Sequence, residues 1–136
     1  YYLLSDQQGY FNEDGFYLTG DKARVVHGGN IQILGRVREQ INRAGEKIMP
    51  SEVEEIIQRN PNIIDCAVVG VEDSILGNRI CAYVTCRKEI GLDEMREFLT
   101  DEGLASFKLP DTLKIVEQFP YTAVGKIDKK KLCDLL

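Results

Sequence analysis

The spacing of apolar residues divides the chain into two textures that meet near residue 50. Before that point, short apolar or β-branched runs are separated by glycines, and the runs at 23–27 and 31–34 flank a Gly-Gly-Asn turn. This arrangement predicts a β-hairpin, and a tighter hairpin is predicted across residues 43–46. Residues 15–17 follow a further turn and predict a short strand. The first third of the chain is therefore predicted to consist of glycine-rich hairpins.

The pattern after residue 50 alternates between helical and strand periods. A helix is predicted to open at Pro50, with Ser51 and Glu54 as a capping box, and to stop at Pro61. The other predicted elements are strands at 63–71, 80–86 and 112–116, a helix at 93–100, and a final helix that Asp128 caps. This order is typical of an α+β fold in which helices cover a small three-stranded sheet. The change in texture predicts a domain boundary near residues 35–40.

Length and charge limit the class of protein. The 136 residues correspond to one ordinary domain, and 17 Lys and Arg against 22 Asp and Glu give a net charge of −5. An acidic balance argues against a dedicated nucleic-acid binder. No apolar run approaches the roughly 20 residues that span a bilayer, and residues 1–6 lack the features of a signal peptide. We therefore predict a cytoplasmic protein with neither nucleic acid nor membrane as a partner.

The cysteines do not form a metal-binding pattern. The four of them, Cys66, Cys81, Cys86 and Cys133, contain no C-x-x-C pair, and the chain has one histidine. Three of the four lie in apolar runs, where a reduced cysteine packs as a small apolar side chain. We predict neither a metal site nor a disulfide framework.

Asp21 and the arginines that follow it are candidates for binding a nucleotide. A short carboxylate placed after the glycine turn at 17–20 can accept hydrogen bonds from a ribose diol, or it can bond its own turn. Residues 35–47 contain three arginines and a lysine. The planar fork of arginine suits phosphate oxygens, although a solvated charged hairpin would have the same composition.

Lys126 is the third candidate. It follows a short loop of small residues and precedes the predicted final helix. A lysine in such a place can act as a point charge against a carboxylate or a phosphate. The lysines at 129–131 predict either a solvated helix face or, together with the Arg43 loop, a docking patch for an acidic protein.

The order and spacing of these motifs resemble the C-terminal part of the adenylate-forming enzyme superfamily. The motifs are Y-x-T-G-D, then G-R-x-x-x-Q-I-N-R-x-G-E-K-I-x-P-x-E-V-E, then G-K-I-D near the end. The superfamily includes acyl-CoA synthetases, luciferases and the adenylation domains of peptide synthetases. Residues 40–47 and 103–111 are most similar to the free-standing aryl-acid activating enzymes of siderophore synthesis, the 2,3-dihydroxybenzoate-AMP ligase type.

The resemblance implies an ATP-dependent ligase that works in two steps. An aryl or other carboxylic acid attacks Mg²⁺-bound ATP to give an acyl adenylate, and the thiol of CoA or of a carrier protein's phosphopantetheine then displaces AMP. Residues 1–37 would be the edge of the large adenylation domain, and residues 38–136 a mobile C-terminal lid that rotates between the steps. We therefore expect a C-terminal fragment that is inactive without its own large N-terminal domain, and the missing Met at position 1 agrees with a piece of a longer chain.

The resemblance also implies roles for particular residues. The implied set is Asp21 and Arg36 for the nucleotide, Arg38 for the hinge, Gly45 for the pantetheine tunnel and Lys126 as the catalytic cation of adenylation, with no metal ligand. The chain departs from the family pattern at three positions: Arg38 replaces the usual Asp or Lys, Ala44 a common glycine and Leu18 a common arginine.

Two other functions remain compatible with these residues. The first is an acyl-CoA synthetase that activates a different acid. The second is a non-catalytic module that docks a carrier protein. Such a module would not require Asp21, Gly45 and Lys126 together, so the residues favour the enzyme.

Overall fold

The computed structural model describes residues 11–134, which divide into two compact units between Arg38 and Glu39. Residues 1–6, considered above for a leader, lie outside the described residues. Positions 135 and 136, at the end of the predicted final helix, also lie outside them. Within the described part of the chain, no helix combines the length and apolar composition needed to cross a membrane.

An antiparallel hairpin forms the first unit. Strand β1 (Asp21–Val25) pairs with strand β2 (Ile31–Arg36), and a 3-10 turn at His27–Gly29 joins them. Both glycines of this turn have positive φ values, 81° and 77°, a region that residues with a side chain rarely adopt. The hairpin predicted around the Gly-Gly-Asn turn is confirmed. The strand predicted at 15–17 is reduced to a single bridge between Phe11 and Tyr17.

A mixed five-stranded sheet is the framework of the second unit. Its strands are β3 (Ile41–Arg43), β4 (Glu46–Ile48), β5 (Ile63–Asp73), β6 (Gly77–Cys86) and β7 (Thr112–Ile115). Strand β5 runs antiparallel to β6 along one edge. The other edge of β6 is shared, because β3 pairs with it only at Gly77 and the parallel strand β7 pairs with residues 81–84.

The α+β class is confirmed, but the sheet contains five strands where three were predicted. The three predicted strands are β5, β6 and β7. The additional two belong to the tight hairpin around residue 45, whose strand β3 joins the edge of β6 through the single pair Arg43 and Gly77. A pairing of one residue leaves no periodic signal, so the sequence indicated the hairpin but not its partner.

Three helices cover the two faces of the sheet. They are α1 (Pro50–Ile57), α2 (Leu92–Asp101) and α3 (Lys129–Cys133). The alternation of side chains along β5 and β6 divides the core into two clusters. The larger cluster contains α1 and α2 and is formed chiefly by Val53, Ile57, Val68, Ile80, Val84, Met95 and Leu99. The smaller cluster lies on the opposite face and contains Ala67, Val69, Cys81, Tyr83, Phe119 and Leu132.

The predicted capping box at the start of α1 is wrong. The helix begins at Pro50, with Met49 as a cap residue that makes no side-chain cap bond. Proline at the first helical position has no N–H to satisfy, which removes part of the need for a cap. Ser51 therefore lies inside the helix, and the Glu54 carboxylate accepts the backbone N–H of Val68 instead.

The predicted cap of the last helix is confirmed, since the Asp128 carboxylate accepts the N–H of Lys131 at 3.3 Å.

Leu132 attaches α3 to the sheet and gives a test of the smaller cluster. Its side chain is fully buried, so Leu132→Ala should lower the free energy of unfolding by about 2–5 kcal/mol. The measurement is urea unfolding of the full chain. Ile75, which is 86% exposed, provides the control, and Ile75→Ala should change the value by less than about 0.5 kcal/mol. Equal effects of the two substitutions would contradict the described packing of α3.

Candidate functional site

Asp21 and Arg36 face each other at the open end of the β1–β2 hairpin. The Arg36 Nε lies 3.0 Å from Asp21 Oδ1, and its Nη1 donates to the carbonyl oxygen of Thr19 at 2.7 Å. The backbone N–H of Asp21 donates to the Thr19 hydroxyl oxygen, which closes the turn. The carboxylate thus bonds Arg36 and not its own turn, and its Oδ2 has no hydrogen-bond partner within residues 11–134. A fixed acceptor oxygen beside a guanidinium suits a diol that adjoins a phosphate.

Arg38 lies at the division between the two units. It belongs to a 3-10 turn at Val37–Glu39 and is exposed. No carboxylate in the described part of the chain forms an ion pair with it. Its side chain is therefore available to solvent or to a partner molecule.

Gly45 lies in the two-residue turn between β3 and β4. Ala44 and Gly45 have φ values of 50° and 87°, as the tight hairpin turns that match the twist of the strands require. A side chain at Gly45 would meet no atom within 4 Å, so the backbone conformation and not lack of space requires glycine there. Ala44 adopts a conformation that is uncommon for a residue with a side chain. Its N–H donates to the Leu76 carbonyl oxygen at 2.7 Å, which holds the turn against the start of β6.

The base of the same turn is fixed by an ion pair between Arg43 and Asp111. The Arg43 Nη2 and Nε lie 2.7 and 3.0 Å from the two oxygens of the Asp111 carboxylate, a two-point contact. Asp111 also accepts the Ile80 N–H through Oδ2 and donates its own N–H to the Ile80 carbonyl oxygen. Asp111 therefore fills the gap between β3 and β7 on the edge of β6.

The charges of this pair are stabilised by each other. Burial alone would raise the pKa of the Asp111 carboxyl, but the bonds from Arg43 and from the Ile80 N–H outweigh burial and hold that pKa below its ordinary value of 3.8. The bond to Asp111 raises the pKa of the Arg43 guanidinium above its usual value despite partial burial. Because its guanidinium is paired with Asp111, Arg43 is not available to join the lysines at 129–131 in the predicted docking patch.

Lys126 lies on a short turn that leads into α3. The Thr122 N–H donates to the Lys126 carbonyl oxygen at 2.7 Å, and the Lys126 N–H donates to the Thr122 hydroxyl oxygen at 3.2 Å. Gly125 takes a φ of 79° in this turn, and a bridge between Tyr121 and Ile127 closes its base. The Lys126 side chain is exposed, and no carboxylate among residues 11–134 pairs with its ammonium. The turn thus presents a free cation on a hydrogen-bonded backbone.

The lysines that follow Lys126 differ in their surroundings. The Lys129 ammonium lies 2.6 Å from Glu54 Oε1 and 4.0 Å from Glu39 Oε2. Lys131 is 3.9 Å from Asp128 Oδ2 and mostly exposed, and Lys130 has no ion-pair partner in the described residues. Only Lys130 and Lys131 therefore match the exposed helix face that the sequence predicted.

The structure joins some of the predicted site residues and leaves others apart. Asp21 and Arg36 form one pair in the first unit. Gly45 and Lys126 lie on separate turns of the second unit, and no hydrogen bond within residues 11–134 joins them. The sequence did not indicate the pairing of Asp111 with Arg43 or of Lys129 with Glu54, because the two residues of each pair are far apart along the chain.

The described residues contain no group of three or more His, Cys, Asp or Glu side chains that could hold a metal ion. Cys66 and Cys81 are buried and all four thiols are free. Burial raises the pKa of the Cys66 thiol to about 12, so this thiol is protonated at neutral pH and is a poor nucleophile.

Residues 52–126 match the family model of the AMP-binding enzyme C-terminal domain. Enterobactin synthase component E of Escherichia coli (strain K12) is 43% identical over 122 residues, which cover 90% of this chain and 23% of that protein. The 2,3-dihydroxybenzoate-AMP ligase of Bacillus subtilis (strain 168) is 45% identical over 123 residues, with the same coverage of 90% and 23%. The chain thus spans about a quarter of the length of these curated relatives.

A solved structure agrees with these sequence matches. The crystal structure of ATP-bound MatB from Rhodopseudomonas palustris has a TM-score of 0.86 and 28% sequence identity to this chain. The match covers 96% of this chain and 26% of that one.

The Arg43–Asp111 pair predicts an acid-sensitive stability. Because the folded-state pKa of Asp111 is lowered, its contribution to folding is fully present above pH 3.8 and is lost as the pH falls through the lower folded value. At neutral pH, Asp111→Asn should lower the free energy of unfolding of the full chain by about 1–3 kcal/mol. The difference in this free energy between the parent chain and the variant should become smaller as the pH falls below 3.8. Urea unfolding across a pH series measures it. Glu117→Gln at an exposed position is the control. If the loss of unfolding free energy in Asp111→Asn did not change with pH, the stabilising role of the Arg43–Asp111 pair would be contradicted.

Proposed function

Since the chain belongs to the family of AMP-binding enzyme C-terminal domains, we propose that it acts as the C-terminal domain of an AMP-forming aryl-acid ligase. The proposed ligase is of the 2,3-dihydroxybenzoate-AMP ligase type that serves siderophore synthesis. The observation that carries this proposal is the free Lys126 ammonium on a closed turn at the last residue of the family match. The 45% identity to the 2,3-dihydroxybenzoate-AMP ligase of Bacillus subtilis supports the aryl-acid type, and the 43% identity to enterobactin synthase component E supports a role in siderophore synthesis.

In the first proposed step, a carboxylate oxygen of the acid attacks the α-phosphorus of ATP. The bond from this phosphorus to the bridging oxygen breaks, and pyrophosphate leaves with its electron pair. Lys126 supplies a positive charge to the oxygens on which negative charge accumulates. Its lack of a carboxylate partner in the described residues supports this role, since a paired ammonium would first have to be released. Mg²⁺ accompanies ATP, because this ion is usually bound by phosphate oxygens with one or two carboxylates.

Asp21 and Arg36 are proposed to bind the nucleotide. The Oδ2 of Asp21 can accept a hydrogen bond from a ribose hydroxyl while Oδ1 keeps its contact with Arg36 at 3.0 Å. Arg36 keeps further N–H groups for a phosphate oxygen, because only its Nε and Nη1 have partners among the described residues. The pair would therefore hold the ribose and leave the phosphates to basic groups.

In the second proposed step, the thiolate of a phosphopantetheine arm attacks the acyl carbon and AMP leaves. We propose that the turn at Gly45 lines the path of this arm after the C-terminal domain has rotated about Arg38. The open space around Gly45 and the exposed position of Arg38 between the two units are compatible with these roles. The ion pair of Arg43 and Asp111 would keep the wall of the path rigid.

An acidic carrier protein is the proposed partner in this step. The basic surface that the structure leaves available to it is Lys130 and Lys131 on α3, because Lys129 and Arg43 are held by carboxylates of the chain itself. Exposed charges of this kind raise the rate of encounter more than they raise affinity.

A hybrid enzyme tests the proposed function. In this hybrid, the chain replaces the corresponding C-terminal quarter of the Bacillus subtilis 2,3-dihydroxybenzoate-AMP ligase. We expect 2,3-dihydroxybenzoate-dependent exchange of pyrophosphate into ATP, and acyl transfer to a holo aryl carrier protein. A folded hybrid without exchange would contradict the proposal, and transfer to CoA alone would favour an acyl-CoA synthetase. Carrier binding without exchange would favour the non-catalytic docking module.

Lys126 gives the sharpest single substitution in this hybrid. Lys126→Ala should lower the rate of pyrophosphate exchange by about 10²–10³-fold, because one positive charge is lost where negative charge develops. Thioester formation from purified acyl adenylate should change much less. Lys88→Ala, at another exposed lysine, is the matched control and should leave both rates unchanged. The chain alone should show no exchange, and exchange by the chain alone would overturn its assignment as one domain of the ligase.

The carrier surface makes a separate prediction. The double substitution Lys130→Glu and Lys131→Glu should reduce kcat/KM for the holo carrier by about tenfold at low salt and should weaken its dependence on ionic strength. Pyrophosphate exchange should not change, since it does not involve the carrier. Lys88→Glu again serves as the control. An unchanged salt dependence would exclude this surface as the docking site.

A further inference from the structure

The free edge of β5 carries an anchored ion pair that the proposed chemistry does not use. Glu54 on α1 accepts the Val68 N–H of β5 at 2.7 Å, and its Oε1 also lies 2.6 Å from the Lys129 ammonium. Lys129 is the first residue of α3 and stands three positions after Lys126. We propose that Lys129 is a positioning residue for Lys126, which it holds in place through Glu54; this inference rests on the proposed function.

Glu54 is a fixed point in the second unit. Its neighbours on α1, Val53 and Ile57, are fully buried in the larger core cluster. The N–H of Val68 points out of the sheet at the edge of β5, where no further strand is available to accept it among the described residues. A backbone donor at such an edge needs an acceptor. The Glu54 carboxylate supplies it, so its position is set by both the helix and the sheet.

The helix α3 is too short to hold its own position. Five residues form little more than one turn, and isolated helices of this length are unstable in water. Leu132 and Lys129 attach it to the rest of the unit, Leu132 to the sheet and Lys129 to Glu54 of α1. The Leu132 side chain is buried and its carbonyl oxygen accepts the Tyr83 hydroxyl at 3.1 Å. Lys129 provides the second contact at the opposite end of the helix, nearest to Lys126.

Backbone hydrogen bonds of the residues just before Lys129 connect the start of α3 to the Lys126 turn. The Asp128 N–H donates to the Pro120 carbonyl oxygen at 2.8 Å, next to the bridge that closes the turn. The Thr122 N–H donates to the Lys126 carbonyl oxygen at 2.7 Å. A shift of the first residue of α3 would therefore move the backbone of Lys126 as well. Displacements of about 1 Å at a reacting group can cost about 10²-fold in rate.

Lys129 itself is not placed to contact ATP. Its ammonium lies between two carboxylates, with Glu54 at 2.6 Å and Glu39 at 4.0 Å, and its side chain is 27% exposed. An ammonium held in this way would have to lose a carboxylate before it could bind a phosphate. Its effect on adenylation must therefore pass through the position of Lys126, while Lys126 remains the group that touches the reactants.

Two lysines that pair with glutamates of α1 allow a matched comparison. Lys108 lies 2.5 Å from Glu52 Oε1 and is 20% exposed, close to the 2.6 Å and 27% of Lys129, whereas Glu52 is more exposed than Glu54 (48% against 21%). Its segment leads to β7 and not to the Lys126 turn. Lys108→Met and Lys129→Met remove the same kind of pair from the same helix. Lys129→Arg keeps the charge, and Glu54→Gln removes the charge of the partner.

The variants are compared in the hybrid enzyme in both half-reactions. Lys129→Met and Glu54→Gln should each lower kcat for pyrophosphate exchange by about 10- to 100-fold, with the KM for ATP changed by less than threefold. Thioester formation from purified acyl adenylate should stay within about twofold, because Lys126 acts in the first step. Lys129→Arg should recover most of the exchange rate, and Lys108→Met should match the parent hybrid.

A second readout does not depend on activity. In the full chain, amide hydrogen exchange at Thr122, Lys126 and Asp128 should accelerate at least tenfold in Lys129→Met and not in Lys108→Met. Equal effects of the two substitutions, or parallel losses in both half-reactions, would overturn the positioning role. A parent hybrid without any exchange would instead contradict the proposed function, and the amide measurement would still decide whether Lys129 holds the turn.

Discussion

The second unit depends on how the edges of its sheet satisfy their backbone groups. The edge of β6 that faces away from β5 is only partly covered. Strand β3 pairs with it at Gly77 alone, and the pairing with β7 begins at Cys81. Asp111 closes this gap by bonding both the N–H and the carbonyl oxygen of Ile80. The Arg43 guanidinium neutralises the negative charge that the Asp111 carboxylate brings to this edge. Without a carboxylate at this place, an edge donor would lack its partner and the β3–β4 hairpin would lose one of its attachments to the sheet.

The free edge of β5 repeats the same arrangement. There Glu54 accepts the Val68 N–H and pairs with Lys129, as Asp111 accepts the Ile80 N–H and pairs with Arg43. In each case a carboxylate bonds an edge amide and holds a basic side chain that begins or ends a loop. One loop presents the Gly45 turn and the other presents the Lys126 turn. The two edges thus give the Gly45 turn and the Lys126 turn a rigid base. This arrangement suits a domain that is proposed to use one turn in each of two half-reactions.

Local patterns predicted the elements well where a local interaction decides them. The hairpin with the Gly-Gly-Asn turn and the Asp128 cap of α3 are confirmed, because positive φ values and a helix cap depend on residues within a few positions. The capping box at Ser51 is wrong, since Pro50 already begins the helix and Glu54 has a better partner in the sheet. The strand count and the pairing of Lys129 with Glu54 could not be predicted, because both depend on contacts across the whole unit.

The sequence by itself determined the α+β class, the order of the main elements and the family, which follows from motifs of fixed spacing. Motifs retain this information because the roles proposed for Asp21, Gly45 and Lys126 require particular side chains or a particular backbone conformation. Only the tertiary structure decided which charges remain available. Arg43 and Lys129 carry the same formal charge as Lys126, but they are paired with Asp111 and Glu54. Those two carboxylates are held in place by the backbone N–H groups of Ile80 and Val68 at the edges of the sheet. A charge pattern records the number of cations, whereas burial and pairing decide which of them can meet a substrate.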